Sequence, residues 1–399
     1  MSGRGWQVAI GFQAALEQSA YFGARLAMTY LVLELGGDAV FIGILASCFS
    51  LAGLLVAFPV GRVVDRFGGA VVGTAGLVVL LAGAGLVLIS PTLPMLIVAA
   101  LVLGIGHTVT LIGQQQIVAA FTENRAGDTA FGNLLAAMSL GQLVGAPLAT
   151  TLGSVFSSPG QELNSEAALL GCAGVTVLAI AAYPFLRRAS ATLVAAGKSR
   201  VRIRLRDAMR QPGMARALIV SGLVITAVEL LASFLPMWAV ERGIAPVAVG
   251  AMLSVRALVS LSTRLGMSRL VRRFGRSALL IVAISVAALS MGAQPFVSEI
   301  GAFGLMVLIG FGLGLPQPLT MAWLASLAPI GTGGLVLGAR TAVNRFALVT
   351  VPIVVGASAG SLGAGAVFIA TAVLLAGSAA AAGSAARTTG SGQSGSHGA

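Results

Sequence analysis

Charged residues are scarce in this chain. Asp, Glu, Lys and Arg make up 9% of its 399 residues, whereas 57% are hydrophobic, and a soluble domain carries roughly 25% charged residues. A water-soluble core cannot absorb this excess of apolar side chains, so we expect the chain to be embedded in lipid. Cysteine is also scarce, because Cys48 and Cys172 are the only two and both lie inside apolar segments. This usage excludes a disulfide framework and a cysteine-ligated metal site.

The sequence also lacks the signatures of enzyme chemistry. It contains no glycine-rich nucleotide-binding loop, no metal-ligand spacing, and no Ser/His/Asp set that membrane depth would permit. The missing phosphate-binding loop argues against an ATP-driven pump. We therefore predict a protein that is not an enzyme and that uses no cofactor and no metal.

Long apolar runs dominate the chain. A membrane-spanning helix needs about 20 largely apolar residues, and backbone groups in lipid must bond within their own segment. The sequence therefore predicts an all-α membrane protein with twelve transmembrane helices. The predicted segments are 7–33, 39–60, 70–90, 93–120, 129–156, 166–187, 214–240, 246–265, 277–297, 300–327, 332–357 and 360–383.

The net charge of +12 follows membrane topology and does not indicate nucleic-acid binding. If the N-terminus is cytoplasmic, most Lys and Arg residues fall in cytoplasmic loops, and Arg242 alone falls in an outside loop. Basic residues concentrate on the cytoplasmic side of membrane proteins. We therefore predict a multi-pass protein of the bacterial inner membrane, with both termini in the cytoplasm and no cleaved signal peptide.

The two halves of the chain repeat. Identical residues recur at offsets of 205 to 207 positions, which predicts two pseudo-symmetric six-helix halves with a substrate site between them near the middle of the membrane. The predicted halves are residues 1–187 and 214–384, with a basic linker at 188–213 and a disordered tail at 385–399. The matching pairs are Gly43 and Gly250, Phe67 and Phe274, Gly132 and Gly338, and Pro147 and Pro352.

The linker alternates basic and apolar residues between Lys198 and Arg206. Such a segment is expected to lie along membrane lipids, with its basic groups at the anionic phosphates. The alternative interpretation is a topology signal without a regulatory role.

A charged, glycine-rich turn is predicted between the second and third segments. It reads Gly61-Arg62-Val63-Val64-Asp65-Arg66-Phe67-Gly68-Gly69, and a degenerate copy follows at 268–276 with Arg272 in place of the acid. In this position the turn resembles motif A of the major facilitator superfamily, although the final basic residue of that motif is missing. The resemblance covers about residues 7–385. It implies that Asp65, within the motif residues Gly61, Arg66 and Gly68, acts as a conformational latch.

Small residues mark the fifth segment. Gly132, Gly141 and Gly145 precede Pro147, and glycines spaced by four allow another helix to approach closely. The pattern is therefore typical of tight helix packing. It also resembles the antiporter motif of the same family, with Ala146 inserted before the proline, and this resemblance implies proton-coupled export.

Polar residues inside apolar segments are the candidates for substrate or proton contacts. Each buried charge costs roughly 2.5–3.5 kcal/mol at the centre of a membrane helix, so each is expected to face a partner or a wet cavity. A hydrogen-bonded packing role for the histidine, helix bridging by the glutamine of the fourth segment, and permanent ion pairs are the structural alternatives. The candidates are Glu17, Gln18, Arg25, His107, Gln114, Glu229, Arg340 and Asn344.

One ion pair across the cavity follows as a hypothesis, either Glu229 with Arg25 or Glu17 with Arg340. Four arginines of the apolar segments, which include Arg256 and Arg345, outnumber the two glutamates. This surplus of positive charge favours a substrate that carries a carboxylate or another anionic group.

Three functions remain open. The leading hypothesis is a monomeric secondary transporter that exports amphipathic drugs or metabolites in exchange for protons. The second is proton-linked uptake of a small anionic metabolite, such as an organic acid or a sugar derivative. The third is a membrane sensor that has lost transport.

Overall fold

The regular secondary structure of the described residues is entirely helical, with short turns and loops between the helices. The computed structural model describes residues 5–121, 127–159, 161–190, 210–327, 333–359 and 363–393. One 3₁₀ turn, Gln294–Phe296, interrupts the α-helices. The helices are α1 (Gly5–Glu34), α2 (Ala39–Phe67), α3 (Gly69–Ile89), α4 (Leu93–Phe121), α5 (Gly127–Val155), α6 (Ser165–Ala181), α7 (Tyr183–Ser190), α8 (Met214–Val240), α9 (Pro246–Phe274), α10 (Arg276–Ala293), α11 (Glu299–Gly314), α12 (Pro316–Leu327), α13 (Gly333–Ala359) and α14 (Ala364–Gln393).

Eleven segments of the described residues are long and apolar enough to cross a membrane. Two of them combine neighbouring helices, α6 with α7 and α11 with α12. Helix α1 is not among the eleven although it has 30 residues, and its buried side chains include Gln13, Glu17 and Arg25. The prediction of an all-α, multi-pass membrane protein is confirmed.

The predicted turn at 61–69 is mostly helical. Helix α2 continues to Phe67, seven residues beyond the predicted end, and α3 begins at Gly69. The chain reverses at Gly68 alone, where φ is +82° and the backbone N–H donates to the Val64 carbonyl. Glycine adopts this conformation without a Cβ clash, which explains why a single residue is enough to separate the two helices.

The internal repeat is visible in the backbone. Gly36 and Gly68 have positive φ angles after α1 and α2, and Gly243 and Gly275 have them after α8 and α9. Gly243 lies 207 residues after Gly36, and Gly275 lies 207 residues after Gly68. Each of the two turns therefore occurs once in each half of the chain. In the second copy of the Gly68 turn, Arg272 replaces Asp65.

The described residues divide into two compact units. Unit 1 comprises residues 1–198 and 232–258, and unit 2 comprises residues 199–231 and 259–399. The C-terminal part of α8 and the N-terminal part of α9 thus pack within unit 1. The division into halves at a linker stays a prediction, since residues 191–209 lie outside the described residues. Helix α14 continues to Gln393, into the predicted tail, and residues 394–399 also lie outside them.

Glycines set the spacing of α3 and α4. A Cβ added at Gly106 would lie 2.5 Å from the backbone nitrogen of Leu80 and 2.7 Å from the Gly76 carbonyl oxygen. A Cβ at Gly113 would lie 2.6 Å from the Gly69 carbonyl oxygen. Small residues let membrane helices approach this closely, and their packing replaces the hydrophobic drive that lipid cannot supply.

Two prolines leave backbone carbonyls without their helical donors, because proline has no N–H for the residue four positions earlier. Pro147 frees the carbonyl of Leu143, and Ser254 Oγ donates to that oxygen at 2.7 Å. Pro318 frees the carbonyl of Gly314, and Arg264 Nε donates to it at 3.1 Å. Both replacement donors lie on α9, one in each unit. Side chains of this helix therefore support the proline-containing segments of α5 and α12.

The glycine contacts of α4 predict a sharp difference between two alanine substitutions. Gly106→Ala is expected to lower the free energy of unfolding by about 1–3 kcal/mol, because overpacking forces the helices apart. Gly85→Ala on α3 meets no atom within 4 Å, so it is expected to be neutral or mildly stabilising through helix propensity. Thermal unfolding in detergent micelles measures both variants. Equal midpoints for the two would contradict the packing described here.

The Pro147 carbonyl contact predicts coupling between two positions. Ser254→Ala is expected to destabilise the protein by about 1–3 kcal/mol, the desolvation penalty of an unsatisfied buried carbonyl. In a Pro147→Ala background the backbone N–H returns, so the same substitution should have little effect. A double-mutant cycle of thermal stability measures this difference. Ser268→Ala, at an exposed position of α9, is the control, and additive effects of Ser254→Ala and Pro147→Ala would disprove the assignment.

Candidate functional site

One face of α1 carries the polar groups of unit 1. Glu17, Tyr21 and Arg25 are spaced by four residues, and side chains four apart lie one above the other on a helix. All three are buried, with exposed fractions of 0%, 5% and 8%. A helix inside a membrane keeps such residues only where they meet partners.

Glu17 meets His107 of α4. Glu17 Oε1 lies 2.6 Å from His107 Nδ1. The second carboxylate oxygen, Oε2, accepts a hydrogen bond from Gln18 Nε2 at 3.2 Å. The carboxylate is therefore fixed at both oxygens, and the short contact to the imidazole allows a proton to be shared between two titratable groups.

Tyr21 holds the imidazole plane. Its ring stacks on His107 with centroids 4.0 Å apart and an interplanar angle of 3°. The edge of Tyr21 also meets Phe49 of α2 in a T-shaped contact with centroids 6.0 Å apart. Phe49 thus supports the Tyr21 ring, and the Tyr21 ring supports the imidazole that contacts Glu17.

Arg25 continues the row beyond the stack. Its guanidinium carbon lies 4.8 Å from the centroid of Phe49, 5.5 Å from that of Tyr21 and 5.9 Å from that of Phe22. Contacts of a cation with aromatic faces within about 6 Å are attractive. The cation is thereby held beside the tyrosine ring that stacks on His107.

A small cavity opens beside Arg25 within unit 1. It has a volume of ≈ 20 Å³, which is room for about one water molecule. The conformation described is therefore closed around it. The lining residues that matter here are Phe22, Arg25, Phe49, Gln142 and Arg256.

Helix α5 contacts α1 along the predicted glycine row. A Cβ at Gly141 would overlap the Ala15 carbonyl oxygen, and one at Gly145 would overlap that of Ser19. A Cβ at Gly132 would meet nothing within 4 Å. Next to Gly141, Gln142 Nε2 donates to Gln18 Oε1 at 3.4 Å. Gln142 lines the cavity and Gln18 donates to Glu17, so this hydrogen bond connects the cavity to Glu17.

In unit 2, two arginines converge on the break between α11 and α12. Arg340 Nη2 donates to the Gln317 carbonyl at 3.4 Å, and its Nε donates to Ser221 Oγ at 2.9 Å. Arg264 Nη2 donates to Gln317 Oε1 at 3.1 Å. Asn344, one turn from Arg340, is 9% exposed, and its Oδ1 has no hydrogen-bond partner.

The remaining predicted residues are placed as follows. Gln114 is fully buried on α4, and Glu229 lies partly buried on α8. Glu17 contacts His107; Arg340 had been a hypothetical partner for it. The alternative pairing of Glu229 with Arg25 stays a hypothesis.

The predicted latch residues lie at the end of α2. A Cβ at Gly61 would meet no atom within 4 Å, and the exposed Arg66 lies over the Phe67 ring at 5.2 Å. The backbone of Asp65 is helical, but its side chain lies outside the described residues, so the latch role stays a prediction.

Sequence reasoning missed Tyr21, Arg264 and Gln317. Tyr21 lies midway between Glu17 and Arg25 at helical spacing, which was a usable signal. Arg264 is the last residue but one of the predicted eighth segment (246–265) and was therefore interpreted as a charge at the membrane boundary. Gln317 stands between two prolines, where the orphaned carbonyls of a broken helix demand polar partners.

A second, larger cavity lies at the end of α1 where Glu34 stands. It has a volume of ≈ 500 Å³, and its lining includes Tyr30, Glu34 and Glu162. Burial raises the pKa of the Glu34 carboxyl above its usual value, and hydrogen bonds from Ser165 and Gln161 oppose this shift. Among the described residues no group of His, Cys, Asp or Glu could hold a metal ion.

Residues 10–352 match the Major Facilitator Superfamily. One similar curated protein is Multidrug resistance protein 1 of Bacillus subtilis (strain 168), with 31% identity over 125 residues. That alignment covers 31% of this chain and 32% of the relative, so the chain matches about a third of the relative's length.

Solved transporter structures share the fold. The crystal structure of the nucleoside transporter NupG has a TM-score of 0.77 and 15% identity, covering 96% of this chain and 99% of that one. A POT family transporter in complex with 5-aminolevulinic acid has a TM-score of 0.75 and 14% identity, covering 94% of each chain. The chain therefore belongs to the Major Facilitator Superfamily, as a transporter and not an enzyme.

Proposed function

We propose that this protein exports amphipathic small molecules across the bacterial inner membrane in exchange for protons. The observation that carries the proposal is the buried contact of 2.6 Å between Glu17 and His107. Histidine is the side chain whose unperturbed titration lies nearest to neutral pH. A carboxylate with 0% exposure in direct contact with it is the best candidate for a proton carrier.

The pair can carry a proton because either group can hold it. With one proton, it is either an ion pair or two neutral groups; with a second proton, the net charge of the site rises by one. Gln18 and Tyr21 hold the carboxylate and the imidazole in place, so protonation does not require either group to find a new partner.

Substrate and proton are coupled through the face of α1. Arg25 lines the cavity and lies over the ring of Tyr21, which stacks on His107. An anion that binds Arg25 withdraws positive charge from the neighbourhood of the imidazole. Bound substrate and bound proton therefore influence each other, which is the energetic requirement for coupled transport.

The lining of the cavity supports an amphipathic anionic substrate. Phe22 and Phe49 offer apolar surface, and Arg25 and Arg256 offer positive charge. A planar guanidinium binds a carboxylate with two parallel hydrogen bonds. Since the cavity is small in the conformation described, the substrate enters through another conformation.

Export is favoured over uptake by two observations. Gly141 and Gly145 of α5 lie against α1, and they belong to the row that resembles the antiporter motif. The aligned relative is by name a multidrug resistance protein. The cytoplasmic position of both termini, which fixes the direction of export, remains part of this proposal.

Uptake of a small anion is the second candidate. Arg264 and Arg340 converge on Gln317 in unit 2, which concentrates positive charge there as well. Transport measured in both membrane orientations distinguishes the two candidates.

The first prediction concerns proton movement. In proteoliposomes, 1-naphthoate (an amphipathic carboxylate) and ethidium (an amphipathic cation) are tested for collapse of an imposed pH gradient. We expect 1-naphthoate to collapse it in the wild type. In Glu17→Gln the proton flux should fall by about a hundredfold or more, as for loss of a positioned proton-transfer group. Exchange of labelled for unlabelled 1-naphthoate, which requires no net proton movement, should continue.

Glu229→Gln is the matched control, because it removes the other glutamate of the apolar segments. It is expected to retain proton flux. If Glu229→Gln loses coupling and Glu17→Gln keeps it, the proton site has been assigned to the wrong helix. If neither probe moves protons in the wild type in either orientation, the proposed coupling fails.

The second prediction concerns charge recognition. Arg25→Gln is expected to raise the KM for 1-naphthoate about tenfold or more, since a hydrogen bond to a charged group contributes roughly 1.5–3 kcal/mol. Inhibition by 1-naphthamide, which has the same shape without the charge, should change little. Equal effects on both compounds would show that Arg25 packs against the site and does not bind the carboxylate.

A further inference from the structure

Two buried glutamine side chains, one on α1 and one on α4, have polar atoms without a hydrogen-bond partner. Gln13 on α1 is 1% exposed and its Nε2 has no partner. Gln114 on α4 is 0% exposed, and neither its Oε1 nor its Nε2 has one. A buried amide without a partner costs several kcal/mol in lipid surroundings. Such groups are usually satisfied by ordered water.

Helix register places these two amides on the facing sides of α1 and α4. Gln13 precedes Glu17 by four residues on α1, and Gln114 follows His107 by seven on α4, so each lies on the face that carries its titratable neighbour. Ile10 and Ala14 of α1 pack in one cluster with Ile117 and Val118 of α4. The two helices therefore run antiparallel. Gln114 lies between the Glu17–His107 contact and that cluster, and Gln13 lies at the level of the cluster, between Ile10 and Ala14.

We infer that ordered water molecules bind between Gln13 and Gln114 and form the proton path of the Glu17–His107 pair. The path leads from this pair towards the end of unit 1 where α1 begins and α4 ends. Each amide offers both a donor and an acceptor, so each can pass a hydrogen-bonded chain of water along without holding a charge. This inference rests on the proposed function, because it names how that proton site reaches solvent.

The proton step balances along this chain. The N–H bond of protonated His107, or the O–H bond of protonated Glu17, breaks as the nearest water gains the proton. That water releases one of its other protons to the next water, and the last one releases a proton to bulk solvent. The pair is left with one proton fewer, and the glutamines are unchanged.

The water itself is tested first, by a high-resolution map of the full chain in a lipid nanodisc. We expect density for at least one water within about 2.6–3.2 Å of Gln114 Oε1 or Nε2. A dry contact between the two amides, or an empty gap, overturns the inference whatever the transport assays show.

The path is tested by proton flux with 1-naphthoate as the probe. Gln114→Leu and Gln13→Leu are each expected to reduce proton flux about tenfold or more, whereas exchange of labelled 1-naphthoate stays within about twofold of the wild type. Gln115→Leu is the matched control, because it is the same substitution at the adjacent exposed position. It should leave both rates unchanged.

The outcomes separate the two proposals. Proton flux in the wild type that persists in Gln13→Leu and Gln114→Leu overturns the water path and leaves the coupled transporter standing. Absence of proton flux in the wild type overturns the coupled transporter, and the map then decides whether the water is bound. Loss of flux and exchange together in both leucine variants, with altered thermal unfolding, would show a packing role and also overturn the path.

Discussion

A carboxylate at the centre of a lipid-embedded helix must have a partner, and the contact of Glu17 with His107 meets this requirement. The energetic penalty for an unpartnered charge there is several times the thermal energy. The pair, 2.6 Å apart, accounts for other features of unit 1. Gln18 supports the second carboxylate oxygen, Tyr21 supports the imidazole, and Arg25 follows on the same face of α1. The charged residues of this face lie deep in the membrane and lower the mean hydropathy of α1, which is not among the eleven apolar spans.

The same requirement governs backbone groups. Pro147 and Pro318 each leave one carbonyl without its helical donor, and side chains of α9 supply replacements through Ser254 and Arg264. A hydroxyl or guanidinium contact is lost more easily than a helical hydrogen bond, because it depends on the neighbouring helix staying in place. Alternating access, as a general transport mechanism, requires helices to change their packing. Proline-freed carbonyls held by another helix are therefore suitable places for such a change.

Much of the fold was predictable from sequence, since lipid imposes simple rules. Helix length follows from membrane thickness, and the 207-residue repeat of Gly36 and Gly68 with Gly243 and Gly275 reflects duplicated turns. The end of α2 was mispredicted because the charges from Arg62 to Arg66 resemble a loop, although their backbone stays helical until Gly68. Charges at the membrane surface do not interrupt a helix.

The candidate site was predictable only in parts. Glu17 and His107 were each singled out because polar residues are rare in apolar segments. Their contact was not, because it joins residues 90 positions apart and depends on the packing of α1 against α4, where glycines fix the distance to neighbouring helices. Periodicity shows which residues of one helix share a face. It does not show which face of a second helix lies opposite, and for that reason Arg340 was considered as a partner for Glu17.

The most direct test of the account is an infrared difference spectrum of the reconstituted protein on addition of 1-naphthoate. A carboxylic acid that gains or loses its proton changes the C=O stretching band of the protonated form. We predict a difference band in the wild type that persists in Glu229→Gln and is absent in Glu17→Gln. A band that remains in Glu17→Gln would show that another carboxyl group carries the proton, and the central role of the Glu17–His107 pair would be wrong.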